Sequence, residues 1–300
     1  MFLTVCLNPT IQKTYLLSEL KTEDVNRASR SSLDISGKGI NVTRVLHGLG
    51  EKAVHLTHAG GKFASFFLER AKEEKLRLSV VRTRAEIRLC VTLVNARRPQ
   101  VMEIVEDGFA VDGKTESKIL RAYSRLLPKC RAVVISGTKA PGYSDGLFPE
   151  MIRLARKAGA FCVADYRGEE LLRSLPHRPD VIKPNLSEFI ETFFPAFDSD
   201  RRDAEMAGLV ERTLLTLAAE QKTMSIITDG ARPVVYTDGG SLKRFAPPAR
   251  ETLNTTGCGD AFAAGFVSRF LRSRDIDEAV RFGDECAGRN AAQLRPGFIG

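Results

Sequence analysis

The chain has 300 residues, 43% of them hydrophobic and 27% charged, the composition of a folded globular protein rather than a disordered or fibrous one. Lys and Arg number 45 against 37 Asp and Glu, a net charge of +8, but the basic residues are scattered, with no Lys/Arg block interleaved with aromatics. That argues against nucleic acid as a partner and is compatible with anionic metabolites. No segment approaches the roughly 20 consecutive apolar residues of a membrane span, and the N-terminus has neither a basic start nor a long apolar run. The six cysteines are far apart, without a C-x-x-C pair, and read as free thiols of a cytoplasmic protein.

In chain order, residues 2–7 form an apolar strand ending at Asn8-Pro9, and residues 10–36 are mixed, polar and rich in turns. A helix starts at Ile40 and stops at Gly50, followed by a strand over 54–57 and a helix over 63–75. Residues 87–94 and 101–105 read as two strands of a hairpin joined by a polar turn at 95–100. From about residue 117 the rhythm becomes regular. Helices over 118–127, 146–158, 186–194 and 203–221 alternate with strands over 132–136, 161–165, 181–183 and 225–228. Long helices between short apolar strands imply a doubly wound α/β fold, a mostly parallel sheet covered on both faces. In such sheets ligands sit beyond the carboxyl ends of the strands, where Gly137, Asn185 and Gly230 fall. One domain over 1–300 is expected, with a small β-sheet lid formed by insertions near 10–36 and 83–110.

The most informative stretch is 254–265, Asn-Thr-Thr-Gly-Cys-Gly-Asp followed by small and apolar residues at helical spacing. Glycines beside a helix start let backbone amides converge on an anion such as a phosphate. Asp260, at that helix start, is placed to take a proton from an attacking hydroxyl. A competing motif is Gly108 to Thr115, which satisfies G-x-x-x-x-G-K-[ST], the phosphate loop of P-loop NTPases with Lys114 as its cation. Its interior, Phe109-Ala-Val111, is bulky and apolar where amides must approach a phosphate, so it is read as a chance match.

Asn254-Thr-Thr-Gly-Cys-Gly-Asp260 resembles the D-T-x-G-A-G-D signature of the ribokinase-like (PfkB) carbohydrate kinases, and Ser36-Gly-Lys-Gly-Ile-Asn-Val42 is similar to that family's G-G-K-G-x-N motif. Leu7-Asn-Pro9, Val25-Asn-Arg27, Thr83-Arg84, Met102-Glu-Ile104, Ile135-Ser-Gly137 and Lys183-Pro-Asn-x-x-Glu188 follow in the family's order, across nearly the whole chain. The flavour is that of the branch acting on phosphorylated ketohexoses, which includes 1-phosphofructokinase and tagatose-6-phosphate kinase. The resemblance implies a ribokinase-like kinase that uses ATP and magnesium and dimerises through its lid. Its expected reaction is fructose 1-phosphate to fructose 1,6-bisphosphate, with tagatose 6-phosphate or fructose 6-phosphate as alternative acceptors.

By the same resemblance Asp260 is the catalytic base, and the amides of Gly257, Cys258 and Gly259 hold the transferred phosphoryl. Gly37, Lys38, Gly39 and Asn41 contact the sugar, and Lys38, Arg84 and Arg27 hold its existing phosphate. Lys183, Thr228, Gly230 and Asn290 line the nucleotide side, while Asn185 and Glu188 organise magnesium through water. The chain departs from the pattern at Gln12, where the family places an aspartate on sugar hydroxyls, and at Cys258 in place of Ala. A thiol at a helix N-terminus can be reactive. Outside the kinase class, the altered Gln12 and Arg232-Pro233 leave a non-catalytic sugar-phosphate sensor as the competing reading.

Overall fold

A computed structural model describes residues 1–97 and 100–300. Among them the strands fall into a nine-stranded and a four-stranded sheet. The large sheet is built on β1 (Phe2–Val5), which pairs in parallel with β4 (Ala53–Ala59) on one side and β8 (Ala132–Ser136) on the other. Beyond β4 lies β5 (Leu78–Arg82); beyond β8 come β9 (Phe161–Asp165), β10 (Val181–Ile182) and β11 (Met224–Asp229), all parallel. Two antiparallel strands, β12 (Arg232–Asp238) and β13 (Ser241–Phe245), finish that edge. Every residue of β1, β4 and β8 is buried, as expected of parallel strands covered on both faces.

One face carries α3 (Thr115–Leu126), α4 (Leu147–Lys157), α5 (Glu169–Ser174), α6 (Leu186–Phe193) and α7 (Ala204–Thr216), around a core that includes Leu3, Ile135, Phe148 and Phe189. The other carries α1 (Lys38–Gly48), α8 (Cys258–Ser273) and α9 (Ile276–Ala291), around Val42, Val134, Phe262 and Phe266. The helix expected over 203–221 is α7 continued by a π-helical turn at Leu217–Gln221. The sequence reading did not anticipate β5, β12, β13 or α9. Among the described residues no helix is long and apolar enough to cross a membrane, and the six cysteines are unpaired thiols.

The polar segment 10–36 is more ordered than its composition suggests: most of it is β2 (Thr10–Leu17) and β3 (Ala28–Ser36). With β6 (Arg88–Asn95) and β7 (Gln100–Val105) they form the small sheet, in the order β3-β2-β6-β7. The turn expected at 95–100 lies partly outside the described residues. Strand register fixes what this sheet presents. Thr10, Gln12, Arg88, Cys90, Val101, Glu103 and Val105 share one face, and Leu33, Met102 and Ile104 the other. A separate cluster of Ile11, Ile35, Ile40, Phe67 and Ile87 packs the root of this sheet against α1 and α2 (Ala64–Glu73).

Candidate active site

The first face of the small sheet looks across a cleft of about 430 Å³ at the carboxyl ends of the parallel strands. The cleft is lined by Gly37, Lys38 and Asn41 around the start of α1, by Asp165 and Lys183, by Asn185 and Glu188 at the start of α6, by Thr228, and by the turn that opens α8. A larger groove of about 990 Å³ runs along β5 and α3 and contains none of the expected residues.

Local structure explains why these groups meet. Gly257 caps α8 with φ 82°, a left-handed conformation that glycine adopts without strain. The Cys258 amide donates to the Thr255 carbonyl at 3.2 Å, whereas those of Gly257, Gly259 and Asp260 have no acceptor among the described residues. Gly257 and Gly259, whose amides have no acceptor, both line the cleft, and Cys258 does not. Gly39 has a packing role: a Cβ there would lie 2.7 Å from His55 Cε1 and 2.8 Å from Cys6 Cβ, so glycine lets α1 approach β1 and β4.

Asp260, only 5% exposed, accepts a 2.8 Å hydrogen bond from Asn41 Nδ2. Burial pushes its carboxyl up to about 7 from the ordinary 3.8; Lys38, Asn41 and Lys183 oppose the rise and Asp165 adds to it. Lys183 Nζ stands 3.1 Å from Asp165 Oδ1 in a fully buried pair. Lys38 Nζ donates to Glu188 Oε1 at 2.9 Å. Burial alone would lower the Lys38 ammonium, yet Asp165, Glu188 and Asp260 together hold it above its ordinary range. Glu188 moves the opposite way to Asp260: burial raises it, but Lys38, the Asn185 amide and Lys183 prevail and hold it below the usual carboxylate range.

Asn185 and Glu188 also form a capping box. Asn185 Oδ1 accepts from the Glu188 amide at 2.8 Å, and Glu188 Oε2 from the Asn185 amide at 3.0 Å. Both Glu188 oxygens are thus already engaged, and no group of three or more His, Cys, Asp or Glu that could hold a metal occurs among the described residues. The donor set fits a hydrated magnesium carried by nucleotide phosphates, with Asn185 and Glu188 accepting from its waters, rather than a protein-chelated ion.

On the small sheet, Gln12 Nε2 donates to Thr92 Oγ1 at 2.7 Å, which leaves its Oε1 to the cleft as a neutral acceptor. Arg88 lines the cleft, held by hydrogen bonds from Nε to Thr10 Oγ1 (3.0 Å) and from Nη1 to the Glu106 carbonyl (3.1 Å). Glu103 reaches over to accept from Thr256 Oγ1 at 2.8 Å, tying the small sheet to the glycine turn. The sequence reading gave no role to Arg88 or to Glu103.

Several expected positions lie elsewhere. Arg84 and Arg27 are exposed on loops outside the cleft, and among the described residues Arg88 is the arginine that lines it. Gly230 makes the tight turn between β11 and β12, with φ 61°, and does not line the cleft. Asn290, 1% exposed, donates to the Thr256 carbonyl (2.9 Å) and the Cys258 thiol (3.4 Å) and accepts from the Gly297 amide (2.6 Å); it braces the glycine turn from behind. Burial first of all pushes the Cys258 thiol up to about 11, the reverse of a reactive thiolate. The P-loop match does not form a phosphate loop. Val111 is in the core, and the Asp112 carboxylate accepts from the Lys114 amide (3.0 Å) and Thr115 Oγ1 (2.9 Å), occupying the helix start an anion would need.

Comparison with known proteins agrees with this architecture. A protein from Thermotoga maritima described as possible 1-phosphofructokinase superposes with a TM-score of 0.87 at 24% identity, over 98% of this chain and 92% of that one. Phosphofructokinase-2 from Escherichia coli, in complex with substrates and products, superposes with a TM-score of 0.83 at 20% identity, over 97% and 92%. Residues 4–294 match the model of the pfkB family of carbohydrate kinases. With a family match over nearly its whole length and a ribokinase-like fold, the chain belongs to the pfkB carbohydrate kinases and is a sugar kinase, a phosphotransferase with an alcohol group as acceptor.

Proposed function

We propose that the chain transfers a phosphoryl group from ATP to a phosphorylated ketohexose, with fructose 1-phosphate the first acceptor to test. The observation that carries the reading is the buried Asp260 carboxyl, raised to about 7, beside unpaired amides of the glycine turn and across the cleft from Arg88. A group with that affinity for protons is part-ionised at neutral pH and suited to accept one from a hydroxyl. In-line attack places charge on the transferred phosphoryl, and the amides of Gly257 and Gly259, which line the cleft, would donate to it. Lys38 and Lys183 add positive charge on the same side. Magnesium, when bound with the nucleotide, neutralises phosphate charge. Arg88 would grip the acceptor's existing phosphate, a fork geometry that suits it, and Gln12 Oε1 would accept from a sugar hydroxyl.

The choice of sugar is supported by the Thermotoga maritima neighbour's description as possible 1-phosphofructokinase. Escherichia coli phosphofructokinase-2 has been crystallised with fructose 6-phosphate, which keeps that sugar, and tagatose 6-phosphate beside it, as the second reading. ADP formation from magnesium-ATP is the test, over fructose 1-phosphate, fructose 6-phosphate, tagatose 6-phosphate and the free sugars, with Asp260→Asn alongside. Turnover of one phosphosugar that disappears in Asp260→Asn is expected. Turnover that survives the substitution would remove the assigned base, and silence across the panel would point to an acceptor outside it. We also place a homodimer on the outer face of the small sheet, where Leu33, Met102 and Ile104 are 39%, 45% and 57% exposed.

A further inference from the structure

Asn41 is the hydrogen-bond donor to Asp260, and an asparagine amide can face a carboxylate in two ways. With Nδ2 toward Asp260 it stabilises the charge; with Oδ1 toward it, two acceptors meet and the charge is opposed. What decides between them lies one helical turn further on. Arg44 Nη1 stands 3.2 Å from Asn41 Oδ1. An arginine has donors and no acceptor, so the atom facing it must be the oxygen, and Nδ2 is left for Asp260. Ser36 Oγ, at 3.5 Å from Asn41 Oδ1, can donate or accept and is neutral between the two orientations, so the choice rests on Arg44.

Arg44 can act in this way because it is itself held on every side. It is 5% exposed and donates from Nε to Glu74 Oε2 (2.7 Å), from Nη1 to the Pro296 carbonyl (2.9 Å) and from Nη2 to the Ile35 carbonyl (3.0 Å). Its guanidinium carbon lies 4.6 Å from the centroid of the Phe298 ring. Glu74 is shared with Arg295 Nη2 (3.1 Å), and Arg295 Nε holds the buried Asp34 of β3 at 2.7 Å. A chain of contacts, part-buried at Arg295 and Glu74 and buried beyond them, thus runs from the small sheet through Arg44 and Asn41 to Asp260.

We propose that Arg44 is a positioning residue for the phosphoryl transfer: it fixes the orientation of the Asn41 amide so that Asp260 meets a donor. The inference rests on the reading of Asp260 as the base. Arg44 does not touch the cleft. The other charged or titratable groups that act on Asp260 are Lys38 of α1, Asp165 of β9, Lys183 after β10, Cys6 after β1 and Cys258 of α8, and none of them is changed by removing Arg44.

The experiment is the pH profile of kcat in Arg44→Met and Arg44→Lys, with Glu74→Gln as the structural control and Asp260→Asn as the check on the base. Without a donor at position 44 the amide can turn. Losing a hydrogen bond to the charged form should move the acidic limb up by about one pH unit or more. Activity near pH 7 then falls about fivefold and recovers at high pH, with the KM for ATP unchanged. Arg44→Lys, which keeps a donor, should move the limb less. Glu74→Gln should lower the melting temperature and leave the limb in place.

A folded Arg44→Met enzyme whose limb does not move overturns the inference, provided Asp260→Asn is inactive at every pH. An active Asp260→Asn enzyme overturns the reading of the base instead. Should Arg44→Met not fold, the wild type decides through its Asn41 side-chain amide, observed by nitrogen-15 NMR. Resonances that titrate with the apparent pKa of the activity support the orientation; an amide that does not titrate overturns it.

Discussion

Asp260→Asn should abolish turnover and at the same time stabilise the protein. Burial holds the native carboxyl at about 7 against an ordinary 3.8, a gap of about three pH units. In the unfolded chain the group ionises near its ordinary value. Below about pH 4 both states are protonated and the group costs nothing. As pH rises the unfolded state ionises first, the native state binds more protons, and stability falls until about pH 7, where the native group ionises too. The full cost above that point is about 4 kcal/mol, at roughly 1.4 kcal/mol per pH unit. Asparagine has nearly the same shape, can accept from Asn41 through its oxygen and carries no charge. At about pH 8 it should recover most of that energy, raising the melting temperature by about 6 °C for a chain of this length. The gain should shrink toward zero at about pH 4. Thermal unfolding of both proteins at several pH values measures it. A variant no more stable than wild type at about pH 8, or a gain independent of pH, would refute the claim that this carboxyl is buried without adequate compensation.

Arg88→Met should raise the KM for the phosphosugar about ten- to hundredfold, the loss of one charge-assisted contact, while Arg84→Met stays within about twofold in steady-state assays. If Arg84→Met carries the larger effect, the face assigned to β6 is wrong. The Cys258 thiol, at about 11 and not lining the cleft, should react slowly with thiol reagents at neutral pH, and Cys258→Ala should retain kcat. Rapid modification of that residue with loss of activity would contradict its placement. Ile104→Glu puts a charge on the outer face of the small sheet and should shift sedimentation toward a single chain. An unchanged mass would move the interface elsewhere.

The large sheet was legible because its strands are short runs of consecutive apolar residues separated by amphipathic helices, a pattern that local sequence expresses in full. The missed β5 is an edge strand with half-buried residues and a weaker apolar signal. β12 and β13 are antiparallel and partly exposed, and no helix between them announces a crossover. The glycine turn and Asp260 were legible because their chemistry is contiguous. Arg88 was not, since its position depends on Thr10 pairing with it across 78 residues, whereas Arg84, four residues earlier, looks equivalent in sequence. Asn290 was misplaced because an asparagine that braces a turn and one that lines a pocket read alike. Arg44 did leave a signal: it follows Asn41 by three positions on one helix, the spacing at which side chains meet.

The carboxylates of the cleft differ in their partners, and the difference separates their roles. Glu188 meets the Lys38 ammonium at 2.9 Å and a backbone amide at 3.0 Å, and Asp165 meets the Lys183 ammonium at 3.1 Å. Asp260 is buried like Asp165 and more deeply than Glu188, but its direct partner is the neutral amide of Asn41 at 2.8 Å. An ammonium in contact offsets the loss of water around a charge; a single neutral donor does so only in part. Glu188 therefore stays ionised, while Asp260 is raised toward neutrality. Environments that push like groups apart are how one fold obtains both a fixed charge and a proton acceptor. Replacing Asn41 with a cationic side chain would remove that distinction, and with it the capacity of Asp260 to bind a proton at neutral pH.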